Sequence, residues 1–313
     1  FEINAFKATV DLDVFAHCWL LSQNGGDMTV LETSRASART RPLRVVFPEL
    51  GDDERVAEAA RILETDGLAH PMGLSDPTPE QMAALVEGRG MKEAIAKRML
   101  NKPLYRAAAM VAAGEADVMV AGADSPTRRV IEAASIAIGL DEGVHMPSSF
   151  FLICFPDGRE LIFADCAVNV SPNSDELLSI AMASENTAAR LLGAANVAML
   201  SFSTGASGTG ESVDLVREAA EAGGYIGPIQ ADAALNATIA AKKGLGQGDA
   251  NVLIFPDLNS GNIAYKLCQE LAGAQAIGPF LQGFKKPVCD LSRGATVDDI
   301  VAGAIITSAM FAD

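Results

Sequence analysis

Aromatic side chains are scarce in this chain, at 5% of 313 residues with a single Trp, while Gly alone contributes 28. A chain rich in Ala and Gly suits closely packed helices over a parallel sheet better than an all-β sandwich. Long apolar runs are missing as well. The longest, 197–202 and 252–255, fall far short of the roughly 20 residues that cross a bilayer, so no membrane association is expected. Basic residues are outnumbered 24 to 40 by acids, giving a net charge of −16 that repels nucleic acid and anionic membranes. Any anionic ligand must therefore be held by local arginines, helix N-termini or backbone amides. The five cysteines (Cys18, Cys154, Cys166, Cys268 and Cys289) form neither metal-ligand pairs nor a disulfide framework. They read as reduced thiols of a cytoplasmic protein that binds no metal.

What is present is an α/β alternation. From Leu43 onward short apolar runs alternate with helical periodicity, as in repeated β-α units. The pattern predicts strands at 43–47, 118–121, 149–155, 161–164, 197–202, 252–255, 276–277 and 287–288. Helices are predicted at 52–66, 92–99, 105–113, 129–138, 175–191, 213–222, 231–241, 261–271 and 297–309. Pro156-Asp157-Gly158 is a turn signal that makes a hairpin of the strands on either side. Such a hairpin marks the passage from one domain to the next. The expected architecture is two α/β/α domains, 28–150 plus 284–313 and 151–283, with a ligand cleft between them. Residues 1–27 lack the basic start and small-residue cleavage site of a secretory signal. Met28 followed by Thr29-Val30 resembles a translation start, so 1–27 reads as an upstream, non-native extension, with an added surface helix as the alternative.

Three loops carry residues capable of chemistry. In the first, from Val120 through Gly122 to Arg129, small residues let the backbone approach a ligand ahead of a predicted helix. Ser125 and Thr127 offer hydroxyls there, and Arg128 and Arg129 bidentate donors for phosphate; an ordinary turn with solvated arginines fits equally well. The second loop, Ser201 to Gly210, includes Ser203 and Thr204, and its amides could form an anion nest. It is neither a P-loop nor a forward Gly-x-Gly-x-x-Gly, and a plain surface loop is the alternative. The third, Asp290 to Asp299, brings Ser292, Arg293 and two carboxylates to a turn entering a helix. Thr296 with Asp299 three residues on is also a near capping box, so Asp299 reads as a helix cap or as a base.

These loops belong to a longer set of motifs. Phe150-Phe151-Leu152, Phe163-Ala164-Asp165-Cys166-Ala167-Val168-Asn169 and Leu200-Ser201-Phe202-Ser203-Thr204 resemble those of phosphotransacetylases. So do Ile254-Phe255-Pro256-Asp257-Leu258-Asn259-Ser260-Gly261-Asn262 and Ile277-Gly278-Pro279-Phe280-Leu281-Gln282-Gly283. The most diagnostic is Lys286-Pro287-Val288-Cys289-Asp290-Leu291-Ser292-Arg293-Gly294. The resemblance to the phosphate acetyl/butyryltransferase family runs from about Leu43 to the C-terminus. It implies a fold similar to isocitrate and isopropylmalate dehydrogenases, a homodimer, and coenzyme A as a substrate with no tightly bound cofactor. The implied reaction moves an acetyl group reversibly between coenzyme A and inorganic phosphate within a ternary complex. By resemblance Asp299 removes the thiol proton, Ser292 positions the reacting groups and Arg293 binds phosphate or acyl phosphate. Asn259 and Asn262 fall among the substrate-binding residues.

Those roles agree with elementary chemistry. A thiol of pKa about 8.5 is only slightly ionised at neutral pH, and a carboxylate taking its proton gives about 10²–10⁴-fold. An exposed Asp is a feeble base, so the site should partly desolvate Asp299. Cys166 reads as a packed thiol outside the chemistry. Two positions depart from the family pattern. Glu132 stands where the family often carries an arginine, one turn beyond Arg128 and Arg129, and Arg89 before Gly90-Met91 matches a second arginine loosely. A butyryl or other short-chain preference and a non-catalytic module that senses coenzyme A remain as alternatives.

Overall fold

The computed structural model describes residues 28–311, so the upstream segment 1–27 lies outside the described residues. The described residues open with α1 (Val30–Thr40), β1 (Leu43–Val46), α2 (Glu54–Thr65) and β2 (Ala69–Met72). Helices α3 (Pro79–Val86), α4 (Glu93–Leu100) and α5 (Pro103–Ala112) lead to β3 (Val118–Ala121) and α6 (Thr127–Ala137). The hairpin β4 (Ser148–Cys154) and β5 (Glu160–Ala164) precedes α7 (Ser174–Leu191), β6 (Val197–Leu200), α8 (Glu211–Gly223) and β7 (Ile226–Ile229). Short helices α9 (Ala231–Leu235) and α10 (Ala237–Lys243) follow, then β8 (Val252–Ile254) and α11 (Leu258–Ala272). The chain closes with β9 (Gln275–Gln282), β10 (Val288–Asp290) and α12 (Val297–Ala309).

The helix ends obey local chemistry. Asp53 caps α2 by accepting from the amides of Arg55 and Val56, and Thr78 caps α3, which begins at Pro79, where no amide is needed. Gly224, Gly244 and Gly273 terminate α8, α10 and α11 in the left-handed conformation that glycine adopts without steric cost. The single helix expected over 231–241 is instead two, because Asn236 is extended and caps α10 with its side chain.

Ten strands make one sheet in the order β2-β1-β3-β10-β9-β4-β5-β8-β6-β7. Strands β2, β1, β3 and β10 run parallel to one another, as do β5, β8, β6 and β7. Antiparallel pairings of β9 with β10, β4 with β9 and β5 with β4 join the two sets. The protein is thus a mixed α/β structure.

Side-chain alternation divides the core. Val45, Val118, Val120, Phe150, Leu152 and Val252 face one side, beneath α1, α2, α7, α8 and α12 in a continuous cluster. Phe150 stacks on Phe280 there at 5.0 Å between centroids, each ring contributing about 2–3 kcal/mol by burial. On the opposite face Met119 and Ala121 pack with α3–α6. Phe151, Ile153 and Leu253 pack with α9 and α11 in a separate cluster on that face. One side of the sheet is covered without interruption; the other carries two cores with a gap between them.

Candidate active site

The gap lies where β3 and β10 end. These strands are parallel neighbours with Asp290 opposite Ala121, so the loops that follow leave the same edge of the sheet. The amide of Leu291 donates to the carbonyl of Ala121 at 2.7 Å, which holds the loops side by side. Ligands favour this position because amides and helix N-termini converge at the carboxyl ends of parallel strands.

Two adjoining cavities open here. One of about 310 Å³ lies between the start of α6 and α11, lined by Ser125, Thr127, Phe151, Tyr265, Asp290 and Arg293, among others. The other, of about 290 Å³, is lined by Tyr265, Gln269, Ile277, Asp290, Ser292 and Asp299, among others. Phe151 stacks on Tyr265 at 4.2 Å and forms part of the wall of both. The third sequence loop and the later half of the first are thereby brought together. Arg293 lines one cavity, Asp299 the other and Ser292 both. Arg128 and Arg129 are exposed on the first turn of α6, next to Thr127.

Asp299 is in place but in a different state from that expected. It is exposed, and its Oδ2 accepts from the Thr296 amide at 2.9 Å and the Thr296 hydroxyl at 2.8 Å, while its own amide donates to Thr296 Oγ1 at 3.2 Å. The complete capping box at the mouth of an open cavity is the reason that protein atoms do not desolvate it.

Other candidates stand elsewhere. Arg89 donates to the carbonyls of Ser135 and Ile136, closing the C-terminal end of α6 about 15 Å from its Thr127 end. Ser203 and Thr204 are buried, and their hydroxyls are used in structural hydrogen bonds, Ser203 within its own loop and Thr204 to the residue after β7. Ser203 Oγ accepts from the Gly208 amide at 2.8 Å, and Thr204 Oγ1 pairs with Gln230 Oε1 at 3.1 Å. Neither lines the two cavities. Asn262 donates to the Cys166 carbonyl at 3.2 Å and lies one turn before Tyr265, with Asn259 exposed one turn earlier. Cys166 is buried, and burial with Asp165 beside it pushes its thiol up, so the neutral form is kept.

A family model described as Phosphate acetyl/butaryl transferase matches residues 74–308. The chain belongs to that family. It is 41% identical over 313 residues to a phosphate acetyltransferase of Nitratidesulfovibrio vulgaris, covering 87% of this chain and 44% of that protein. To the phosphate acetyltransferase of Clostridium acetobutylicum it is 40% identical over 282 residues, covering 82% and 84%. A solved phosphotransacetylase from Streptococcus pyogenes superposes with a TM-score of 0.83 at 36% identity, covering 90% of this chain and 97% of that one. The chain spans less than half the length of some curated relatives, 44%, 44% and 40% in three of them.

Three residues that shape this family member's site escape a reading by motif. Arg55 donates from Nη1 to the carbonyls of Arg293 and Ala295, both at 2.9 Å, and from Nη2 to the Ala123 carbonyl at 3.1 Å. Asp53 holds that guanidinium with contacts of 2.7 Å and 3.2 Å. Glu49, 8% exposed, accepts from the Gly122 amide at 3.0 Å. The signal for all three lies in the run from Glu49 to Arg55, where the acids look like ordinary helix-start residues.

Proposed function

We propose that this chain catalyses acetyl-CoA + phosphate = acetyl phosphate + CoA, reversibly, by direct transfer within a ternary complex. The observation that carries the reading is the meeting of Ser292, Arg293 and the Ser125–Thr127 helix start on adjoining cavities, in a chain whose net charge is −16. In so acidic a protein, a concave site built from an arginine, hydroxyls and a helix N-terminus selects an anion by local design.

In this reading Arg293 pairs with the phosphoryl oxygens and neutralises the charge that grows as the acyl–oxygen bond breaks. Ser292 and the α6 hydroxyls orient the acyl phosphate, with Arg128 and Arg129 one step outside to draw in the phosphates of coenzyme A. The α11 face carrying Asn259, Asn262 and Tyr265 borders the thiol arm. Asp299 takes the thiol proton, and entry of coenzyme A supplies the desolvation that its exposed position at the cavity mouth does not. No covalent enzyme intermediate is required. The reading extends to a cytoplasmic homodimer, as the family resemblance implies, with the cleft lying between domains 28–150 plus 284–313 and 151–283.

The deciding assay follows thioester absorbance on mixing acetyl phosphate with CoA, beside Asp299→Asn and with propionyl and butyryl phosphate in parallel. Acetyl transfer that falls at least about 100-fold in the variant is expected. Activity confined to the longer acyl phosphates would move the assignment to them. CoA binding without any turnover would overturn catalysis.

A further inference from the structure

The transfer scheme above gives no task to two acids at this end of the sheet: Asp290, which lines both cavities, and Glu49 in the loop after β1. Asp290 is 1% exposed at the end of β10, and its alternation with Cys289 turns it toward the gap between the two cores. Among the described residues neither of its oxygens has a hydrogen-bond partner of full geometry, nor has Glu49 Oε2. The two acids converge on Gly122. Its amide donates to Glu49 Oε1 at 3.0 Å, and a Cβ there would stand 2.6 Å from Asp290 Oδ1. Glu49 thus receives a donor that stabilises its anion, and Asp290 receives none. Unpartnered buried carboxylate oxygens are costly, and two neighbouring buried acids, one of them on an anion-binding cavity, cannot both ionise cheaply.

Resting on the acyl-transfer reading, we infer that Asp290 is a further catalytic residue, the carboxylic acid that protonates the phosphate as it leaves acetyl phosphate. Phosphate expelled as a fully deprotonated trianion is a poor leaving group, so a proton must arrive as the bond breaks. The coenzyme A sulfur forms the C–S bond and its proton passes to the Asp299 carboxylate. The acyl–oxygen bond breaks, the oxygen keeps the electron pair, and the Asp290 proton moves onto it. Exchange with water then restores both carboxyls, and the net result is one proton moved from thiol to phosphate. In reverse, Asp290 removes that proton from attacking phosphate.

The surroundings fit an acid held protonated. Burial pushes Asp290 up to about 7 against the pull of the nearby Thr127 hydroxyl, and the Glu49 charge adds a smaller push in the same direction as burial. The other charged groups on the loops and helices at the Asp290 end of β10 are Asp124, the Asp53–Arg55 pair, Arg128 and Arg129 on α6, Arg293, and Asp298 and Asp299 on α12, while Lys285 and Lys286 precede its opposite end. Arg55 is spent on Asp53 and three carbonyls, and among the described residues Asp290 forms no ion pair with any of the other cations.

The test compares wild type, Asp290→Asn and Glu49→Gln. Steady-state rates of acetyl transfer are measured across pH 5.5 to 9, and infrared difference spectra of the unliganded proteins are recorded over the same range. Asp290→Asn keeps a hydrogen-bond donor but has no proton to give. Its kcat should fall about 100-fold or more, with KM for CoA changed less than about threefold and the alkaline decline of kcat abolished. Glu49→Gln removes the like charge, the smallest of the three influences on Asp290, and should move that decline detectably toward acid. A protonated-carboxyl carbonyl band that fades through neutral pH should be present in wild type and absent in Asp290→Asn. Near wild-type kcat in Asp290→Asn, an alkaline limb unmoved by Glu49→Gln, or no such band in wild type would each overturn the inference. A band without any turnover would instead sink the acyl-transfer reading, and the catalytic role with it, while the protonated Asp290 stood.

Discussion

The guanidinium of Arg55 reaches the Ala295 carbonyl at 2.9 Å, across 240 residues of sequence. With its bonds to Arg293 and Ala123, it ties the loop after β10 to the loop after β3 while Asp53 fixes the guanidinium plane. Three carbonyls on two ligand loops thus share one donor. Lysine cannot reproduce that fork. Arg55→Lys should lower kcat about 10–100-fold, since misplacing reacting groups by about 1 Å costs that much. Chain folding, read by far-ultraviolet circular dichroism, should be retained. Unchanged kcat would show that the loops hold their places without the clamp.

Much of the fold is legible in the residues, and the exceptions have physical causes. The inner strands announce themselves as apolar runs because both faces are covered. Both outermost strands escape, and both contain proline: Pro71 in β2 and Pro228 in β7. An edge strand needs hydrogen bonds on one side only, so it tolerates residues that break the apolar pattern. Helix α1 is polar over most of its length, but its capping box between Thr29 and Glu32 is a sequence signal that marks its start. The site divides in the same way. The Ser292-Arg293 turn was visible as a motif, whereas Arg55 and Glu49 act on residues 68 to 240 positions away, a pairing only the sheet order creates.

Gly122 has a φ of +106° and no room for a side chain. A Cβ would lie 2.6 Å from Asp290 Oδ1 and 2.8 Å from the Leu291 carbonyl. Gly122→Ala must either push β10 from β3 or break the amide bond to Glu49. The expected cost is about 2–4 kcal/mol from strain and overpacking, with loss of transfer activity, measurable as a lower urea midpoint. A midpoint equal to wild type would contradict the crowding described.

Asp165 holds the loop below Phe151 together. It is 3% exposed and accepts from the Ser149 hydroxyl, from the amides of Ala167, Val168 and Asn169 at 3.0, 3.2 and 3.0 Å, and from Asn169 Nδ2 at 2.6 Å. Every partner donates, so an asparagine would aim its own N–H groups at donors. Asp165→Asn should cost about 3 kcal/mol, and Asp165→Ala at least as much, by chemical denaturation. A change below about 1 kcal/mol in both would mean that the loop bonds bear little of the stability.

The cap and the proposed base can be separated, because Asp299 performs one task through Thr296 and the other through the cavity. Thr296→Ala removes the capping hydroxyl and keeps the carboxylate. It should cost about 1 kcal/mol of stability and leave kcat within about threefold. Asp299→Asn should invert the pattern, with little change in melting temperature and kcat down about 100-fold. Parallel losses of stability and rate in both variants would reduce Asp299 to a helix cap.

Asp290 also makes a stability prediction whose sign runs against the usual carboxylate. Burial raises its pKa to about 7, whereas an unfolded Asp sits at about 3.9. Between those values the folded state binds the extra proton, so stability falls as pH rises and the loss levels off above about pH 7. Asp290→Asn removes the charge that burial penalises. Its stability relative to wild type should therefore grow from about pH 4 to pH 7, reaching a few kcal/mol, and stay constant above that. Denaturation midpoints of the two proteins at pH 5 and pH 8 measure the difference directly. A larger gap at pH 8 than at pH 5, in a variant that has lost its rate, would show stability yielded for chemistry at this position. An equal gap at both pH values would mean that Asp290 is ionised throughout and carries no proton to give.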